Sequence, residues 1–163
     1  MKKVYKKNLY DVYSLEKKEE AEVPVDGEIE RGSRVFMMNC SSCHALSPGS
    51  GSGFTFGPSL GLIYNRRSGS DKEYEGYSAA LANSNYFWTS SNLYKFMLNP
   101  TEFLPGTLCS VSPQKGLESE EDRADIIEFL SEYSKEMSKN IQIKTILAKG
   151  YGQNQTEIYA QRE

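Results

Sequence analysis

Apolar residues in this chain recur at helical spacing in separate stretches, with polar, glycine-rich segments between them. The first stretch, from about Ile29 to Asn39, carries Val35 and Phe36 on its inward side, and Gly32 lies four residues before Phe36 on the same face. A glycine inside a helix costs about 1 kcal/mol relative to alanine, so its presence predicts close approach by a second helix. Further on, Thr89-Ser90-Ser91-Asn92 caps a helix that carries Leu93, Phe96 and Met97, and Asn99-Pro100 stops it. The last strong pattern starts near Glu118-Ser119-Glu120-Glu121, acidic where the positive end of a helix dipole prefers it. It presents Ile126, Phe129, Leu130 and Tyr133 as one stripe. Met137, Ile141 and Ile143 to Leu147 predict that this helix continues or folds back on the core.

Loops are expected from Ser47 to Gly61, where glycine, serine and proline dominate, and a connector from Asn83 to Tyr86. Phe103 to Cys109 reads as an extended, turn-bearing segment. Neither an alternating strand pair nor an internal repeat is visible, so the expected class is all-α with irregular loops. Residues 1–27 lack sustained periodicity, carry dense charge and end in Val23-Pro24-Val25-Asp26-Gly27, the pattern of a flexible extension. Beyond Lys149, Gly150-Tyr151-Gly152-Gln153-Asn154-Gln155 reads as a mobile tail. The expected partition is a domain over 28–136, an N-terminal extension over 1–27, and a C-terminal extension over 137–163, helical at first.

Composition narrows the function classes. With 163 residues, 38% hydrophobic and 12% aromatic, the chain makes one small core, which a buried prosthetic group would enlarge. A formal charge of −3 argues against a nucleic-acid binder. No stretch approaches the roughly 18 apolar residues that span a bilayer, which leaves only peripheral association with a membrane open. Met1-Lys2-Lys3-Val4-Tyr5-Lys6-Lys7 is basic, but Glu16-Lys17-Lys18-Glu19-Glu20 stands where the apolar core of a secretory signal should follow.

The chemistry concentrates in Cys40-Ser41-Ser42-Cys43-His44, which holds the chain's one histidine and two of its three cysteines. Cys-x-x-Cys-His is the haem-attachment pattern: two thiols add to the haem vinyl groups, and the adjacent imidazole becomes a fixed axial ligand. A redox dithiol would want a βαβ context, and a zinc site needs two further ligands at short spacing. Neither context is visible. Cys109 is left alone, so a disulfide scaffold is not expected.

With these pieces placed, the region from about Glu28 to Glu136 resembles a class I cytochrome c of the mitochondrial kind. Gly32 and Phe36 precede Cys40 at that family's spacing, and Gly57-Pro58-Ser59-Leu60 matches its Gly-Pro-x-Leu loop. Trp88-Thr89-x-x-Asn92-Leu93, Asn99-Pro100, Pro105-Gly106-Thr107 and Arg123-Ala124-Asp125-Ile126-Ile127-x-Phe129-Leu130 follow in the family's order. The resemblance implies one covalent haem c on Cys40 and Cys43, His44 as proximal ligand, and the Pro58 carbonyl accepting from its imidazole. It implies that Arg66, Tyr77, Ser78 and Trp88 hold the propionates, with Phe96 and Thr107 also at the cofactor. A polar shell suits that task, because buried carboxylates are costly unless paired or hydrogen-bonded. It further implies an electron carrier rather than an enzyme, a redox-protein partner, and residence in the mitochondrial intermembrane space.

The match breaks on the distal side. Family members carry their second axial ligand, a methionine, two residues after Pro-Gly-Thr; here that residue is Cys109. Phe96 replaces a tyrosine that supports the methionine, and Leu81 replaces an asparagine of the same network. Removing ligand and supporting groups together is self-consistent, since an orphaned buried hydroxyl or amide costs about 1–3 kcal/mol. Three distal arrangements follow: a Cys109 thiolate on iron, an open or water-bound iron, or another residue such as Met97 or a lysine. Cys109 as a small buried hydrophobe is the plain alternative.

A thiolate favours ferric iron and lowers the potential within the roughly 0.8 V range of haem tuning, and an open iron also lowers it. The surface changes too: Asn39, Thr101, Glu102 and Leu108 stand where family members present lysines, and residues 28–136 hold nine Lys/Arg against fourteen Asp/Glu, a net −5. The expected function is therefore electron transfer at lowered potential with a partner other than the usual respiratory one. A haem-based sensor or weak peroxidase is the alternative; it would need a distal acid–base group, and no second histidine exists.

Overall fold

The computed structural model describes residues 26–47, 56–109 and 116–160. The N-terminal extension expected over 1–27 lies almost wholly outside the described residues. Five helices carry the described fold: α1 Ile29–Asn39, α2 Ala79–Asn83, α3 Ser90–Leu98, α4 Pro100–Phe103 and α5 Glu120–Ala160. Among the described residues there is no strand, only one isolated antiparallel bridge, Arg67 to Phe87.

The pair α1 and α5 is the keystone, and Gly32 explains how it closes. A Cβ there would overlap the Asp125 carbonyl and come within 2.9 Å of the Phe129 Cβ. Removing that side chain lets the Phe36 and Phe129 rings meet with centroids 5.6 Å apart. Asp125, fully buried, sits beside this contact and accepts from the Glu28 N–H at 2.7 Å, from Arg31 Nη2 at 2.9 Å and from Arg31 Nε. Burial alone would raise this carboxyl, but the Arg31 hydrogen bond, the Glu28 N–H and the charges of Arg31 and Arg34 outweigh it and hold it below the ordinary range. One carboxylate thus stitches the start of α1 to α5.

Helix α3 lies against the same long helix. Its cap is local: Thr89 Oγ1 accepts from Asn92 N–H at 3.3 Å. Leu93, Phe96 and Met97 are its buried residues, as the periodicity predicts, and they join Val35, Phe36, Ile126 and Leu130 in one core. Burying each such side chain contributes roughly 1.5–3 kcal/mol. Arg123 closes the other side: it is 2% exposed, Nη1 donates to Leu117 O at 2.6 Å and Glu118 O at 2.7 Å, and the guanidinium lies 4.3 Å from the Tyr94 ring centroid.

Two features depart from the sequence reading. Ser78 caps a short helix, α2, accepting from Leu81 N–H at 3.3 Å, where no helix is expected. Helix α5 runs 41 residues, to Ala160, through Gly150 and Gly152, where the sequence suggests a break into a mobile tail. It neither folds back nor ends there. Each glycine costs about 1 kcal/mol, but no proline lies between 120 and 160 to remove a ladder bond. A helix already nucleated propagates through such penalties.

Candidate functional site

The middle of the molecule holds a cavity of about 310 Å³, inside the roughly 300–1,000 Å³ of cofactor sites. Cys40, Cys43, His44, Pro58, Arg66, Tyr77, Ser78, Trp88, Phe96 and Cys109 all line it. Of the residues the sequence points to, only Thr107 does not; it is buried, and its hydroxyl accepts from Cys109 N–H at 3.3 Å.

His44 is positioned by backbone on two sides. The turn that ends α1 places it, with His44 N–H donating to Cys40 O at 2.9 Å and Cys43 N–H to the same carbonyl at 3.0 Å. Nδ1–H donates to Pro58 O at 2.8 Å, which fixes the tautomer and leaves the Nε2 lone pair for a metal. Gly57 makes that approach possible: a Cβ there would overlap His44 Cε1 and come within 2.6 Å of Nδ1. Burial lowers the pKa of His44, the Pro58 bond opposes this, and the nearby Arg66 charge adds to it. The net effect keeps the imidazole neutral, the form that ligates.

Arg66 and Trp88 reach the cavity side by side because their backbones pair. Trp88 N–H donates to Arg66 O at 2.9 Å and Asn65 N–H to Trp88 O at 3.0 Å, while Asn65 takes the left-handed φ of 59° that asparagine tolerates. Arg66 Nη2 donates to Ser59 O at 2.9 Å and Nη1 stands 3.5 Å from Asp71. Its Nε is buried and has no partner among the described residues. Burial lowers the Arg66 pKa against the pull of Tyr77 and Asp71. A buried guanidinium with a spare donor fits one more anion.

Asp71 and Tyr74 are the site residues that sequence reasoning missed. The Tyr74 hydroxyl donates to Phe56 O at 2.8 Å and its ring meets Tyr77 edge-on at 4.9 Å. The spacing Tyr74-x-x-Tyr77 and an acid five residues after Arg66 are the traces available in the chain.

The remaining wall is apolar, with Leu81, Phe96 and Met97 among its residues, and Cys109 belongs to it. Burial pushes the Cys40 thiol up to about 12, with Cys109 and Cys43 adding to the shift. Burial pushes Cys109 up to about 11, with Cys43 adding. The three thiols therefore share one cavity within electrostatic reach of each other. No lysine lines it among the described residues.

A helical scaffold around an apolar cavity, with paired thiols and an oriented imidazole on its wall, defines the class of all-α haem c proteins. The sequence agrees, matching the Cytochrome c family over residues 29–134. It is 38% identical over 106 residues to cytochrome c of Cannabis sativa, covering 65% of this chain and 90% of that protein. Against cytochrome c of Theileria parva it is 35% identical over 109 residues, 67% and 89% of the two chains. Against that of Chlamydomonas reinhardtii it is 35% identical over 112 residues, 69% and 94%. The chain belongs to the cytochrome c family, whose members carry one covalent haem c and transfer electrons. No described helix is long and apolar enough to cross a membrane.

The residues present fit that cofactor. The apolar wall suits the macrocycle, the Gly57 cradle leaves room for the oriented His44 imidazole, and the spare Arg66 donor suits a propionate.

Proposed function

We propose that this cytochrome c works as an electron carrier at a potential below that of His/Met members, in the mitochondrial intermembrane space, with a partner other than the usual respiratory one. One observation carries the reading: a thiol, not a thioether, stands at residue 109 on the cavity wall. Haem, when bound, supplies a one-electron iron couple. Cys40 and Cys43 would tether it, His44 Nε2 would ligate, and Arg66, Tyr77, Ser78 and Trp88 would hold the propionates, with residues 28–136 as the domain around it. Phe96 and Leu81 leave the distal wall without the polar groups that would stabilise a neutral sulfur ligand, and Thr107 holds the backbone of Cys109.

Of the three distal outcomes, a Cys109 thiolate and an open iron both lower the potential; ligation by Met97, which lines the same wall, would not, and no lysine lines it among the described residues. Cys109 would have to lose its proton to ligate, which a ferric centre favours and which charges the site. If Cys109 stays protonated, its short side chain leaves the iron open, and Phe96 and Leu81 offer no proton relay for peroxide chemistry. Electron paramagnetic resonance of the ferric protein tests the assignment: a high-spin signal means open iron, and a low-spin thiolate signal means Cys109 ligation. A low-spin His/Met signal contradicts the proposal. Carbon monoxide added to the reduced protein then separates a blocked carrier, which excludes it, from a gas-binding sensor, which takes it up rapidly.

A further inference from the structure

The mouth of the cavity is built unlike its interior. Phe56 and Leu108 both line it, yet they are 86% and 79% exposed. Core packing does not account for two large apolar side chains of the cavity lining that stand largely in water. Their backbones are held, Phe56 through the Tyr74 hydroxyl on its carbonyl and the Leu108 segment through Cys109 N–H on Thr107. Charge is scarce here. Among the described lining residues, Arg66 is the sole Lys, Arg, Asp or Glu, and it is engaged by Ser59 and Asp71. The exposed charges beside Tyr74 are Lys72, Glu73 and Glu75, an acidic surplus of one.

We propose that this apolar mouth docks an electron-transfer protein whose contact surface is apolar at its centre and not acidic at its rim. The inference rests on haem occupying the cavity as described above, because a redox partner must then approach where the cavity opens. Charge complementarity selects between partners. A ring of carboxylates brought to this mouth would be desolvated with no lysine of the lining to meet it, and the exposed charges beside Tyr74, Lys72 with Glu73 and Glu75, are net acidic. An apolar centre instead covers Phe56 and Leu108, and aromatic and aliphatic anchors ringed by polar residues are how interface cores are made. Association of this kind depends little on salt, since screening acts on charges.

Surfaces of defined chemistry test this with the haem-loaded full chain. Gold electrodes coated with methyl-terminated or carboxylate-terminated alkanethiol layers serve as the two model faces. Adsorbed mass is weighed by quartz microbalance alongside the voltammetric wave. A reversible wave is expected on the methyl layer, changing less than about twofold from low to high salt, with at least about tenfold less on the carboxylate layer. Phe56→Ser with Leu108→Ser should lower both wave and mass on the methyl layer by about tenfold while covalent haem content holds; Leu108→Lys alone should act in the same direction. A wave confined to the carboxylate layer, or equal adsorption of parent and variants, overturns the docking inference and leaves the electron-carrier reading standing. A protein that acquires no covalent haem removes both.

Discussion

On the stretch of wall that carries His44, position is over-determined: the imidazole is fixed by Pro58 O at 2.8 Å, and no side chain larger than hydrogen fits at Gly57. The stretch formed by Leu81, Phe96 and Cys109 has one polar side chain, a thiol whose pKa burial pushes up to about 11. The first has its functional side chain fixed by a hydrogen bond and sterics together; in the second, hydrogen bonds from Thr107 and Ser78 hold only backbone, and the side chains are placed by apolar packing. Such a division lets ligand chemistry change at residue 109 without disturbing the scaffold, because no polar partner is orphaned when the ligand changes. The α1–α5 clasp through Gly32 and Asp125 belongs with the first group, since it holds the segment from which Cys40 to His44 depart.

Substitutions that attack the two stretches should therefore differ in kind. Cys40→Ala with Cys43→Ala should abolish covalent haem and with it the helical circular dichroism of the folded domain, since the cofactor fills the core. A colourless yet cooperatively folded double variant would contradict this. Next in size, Asp125→Asn should cost about 2–4 kcal/mol in denaturant unfolding, near the lower end for a broken buried pair because Arg31 keeps part of its hydration. The same carboxyl gives a pH signature. Its folded pKa is depressed, so its contribution is fully present above the ordinary aspartate value of about 4. It is lost as pH falls through the lower folded value. In the Asn variant that acid-dependent component of stability should vanish from urea titrations run across the acid range.

Gly57→Ala should cost about 1–3 kcal/mol through overpacking and should shift the Soret band as the imidazole is pushed aside. Unchanged spectra would mean that the cradle has slack. Cys109→Met, on the other stretch, should scarcely move thermal stability. It should raise the midpoint potential by only part of the haem range of about 0.8 V, because Phe96 and Leu81 still deny the new sulfur its support. An absorption spectrum identical to that of the parent would remove residue 109 from the coordination sphere.

Much of this was legible in the chain because helical spacing and cap chemistry are local. The Thr89 cap of α3 follows from side chains within a few residues, and the extent of α1 from its apolar spacing, although the Glu28 N–H at its start is tied by distant Asp125 and not by a local cap. Gly32 announced a helix contact, although not that Asp125 would be the group beside it, since a buried acid on an amphipathic stripe looks like any solvated one. The Arg66–Trp88 pairing escaped notice because the isolated bridge it flanks, Arg67 to Phe87, leaves no alternation to read. Gly150 and Gly152 misled for the opposite reason: local propensity argues for a break, while propagation from a long helix overrides it. At the cavity, motif spacing pointed to the residues that share the wall, but Asp71 and Tyr74 are joined to it by contacts that no motif encodes.

Potentiometric titration of the haem-loaded chain is the most direct test of the claim that its distal side lacks a thioether ligand. The account predicts a midpoint well below that of His/Met cytochromes c measured in the same cell. A midpoint equal to theirs would contradict it.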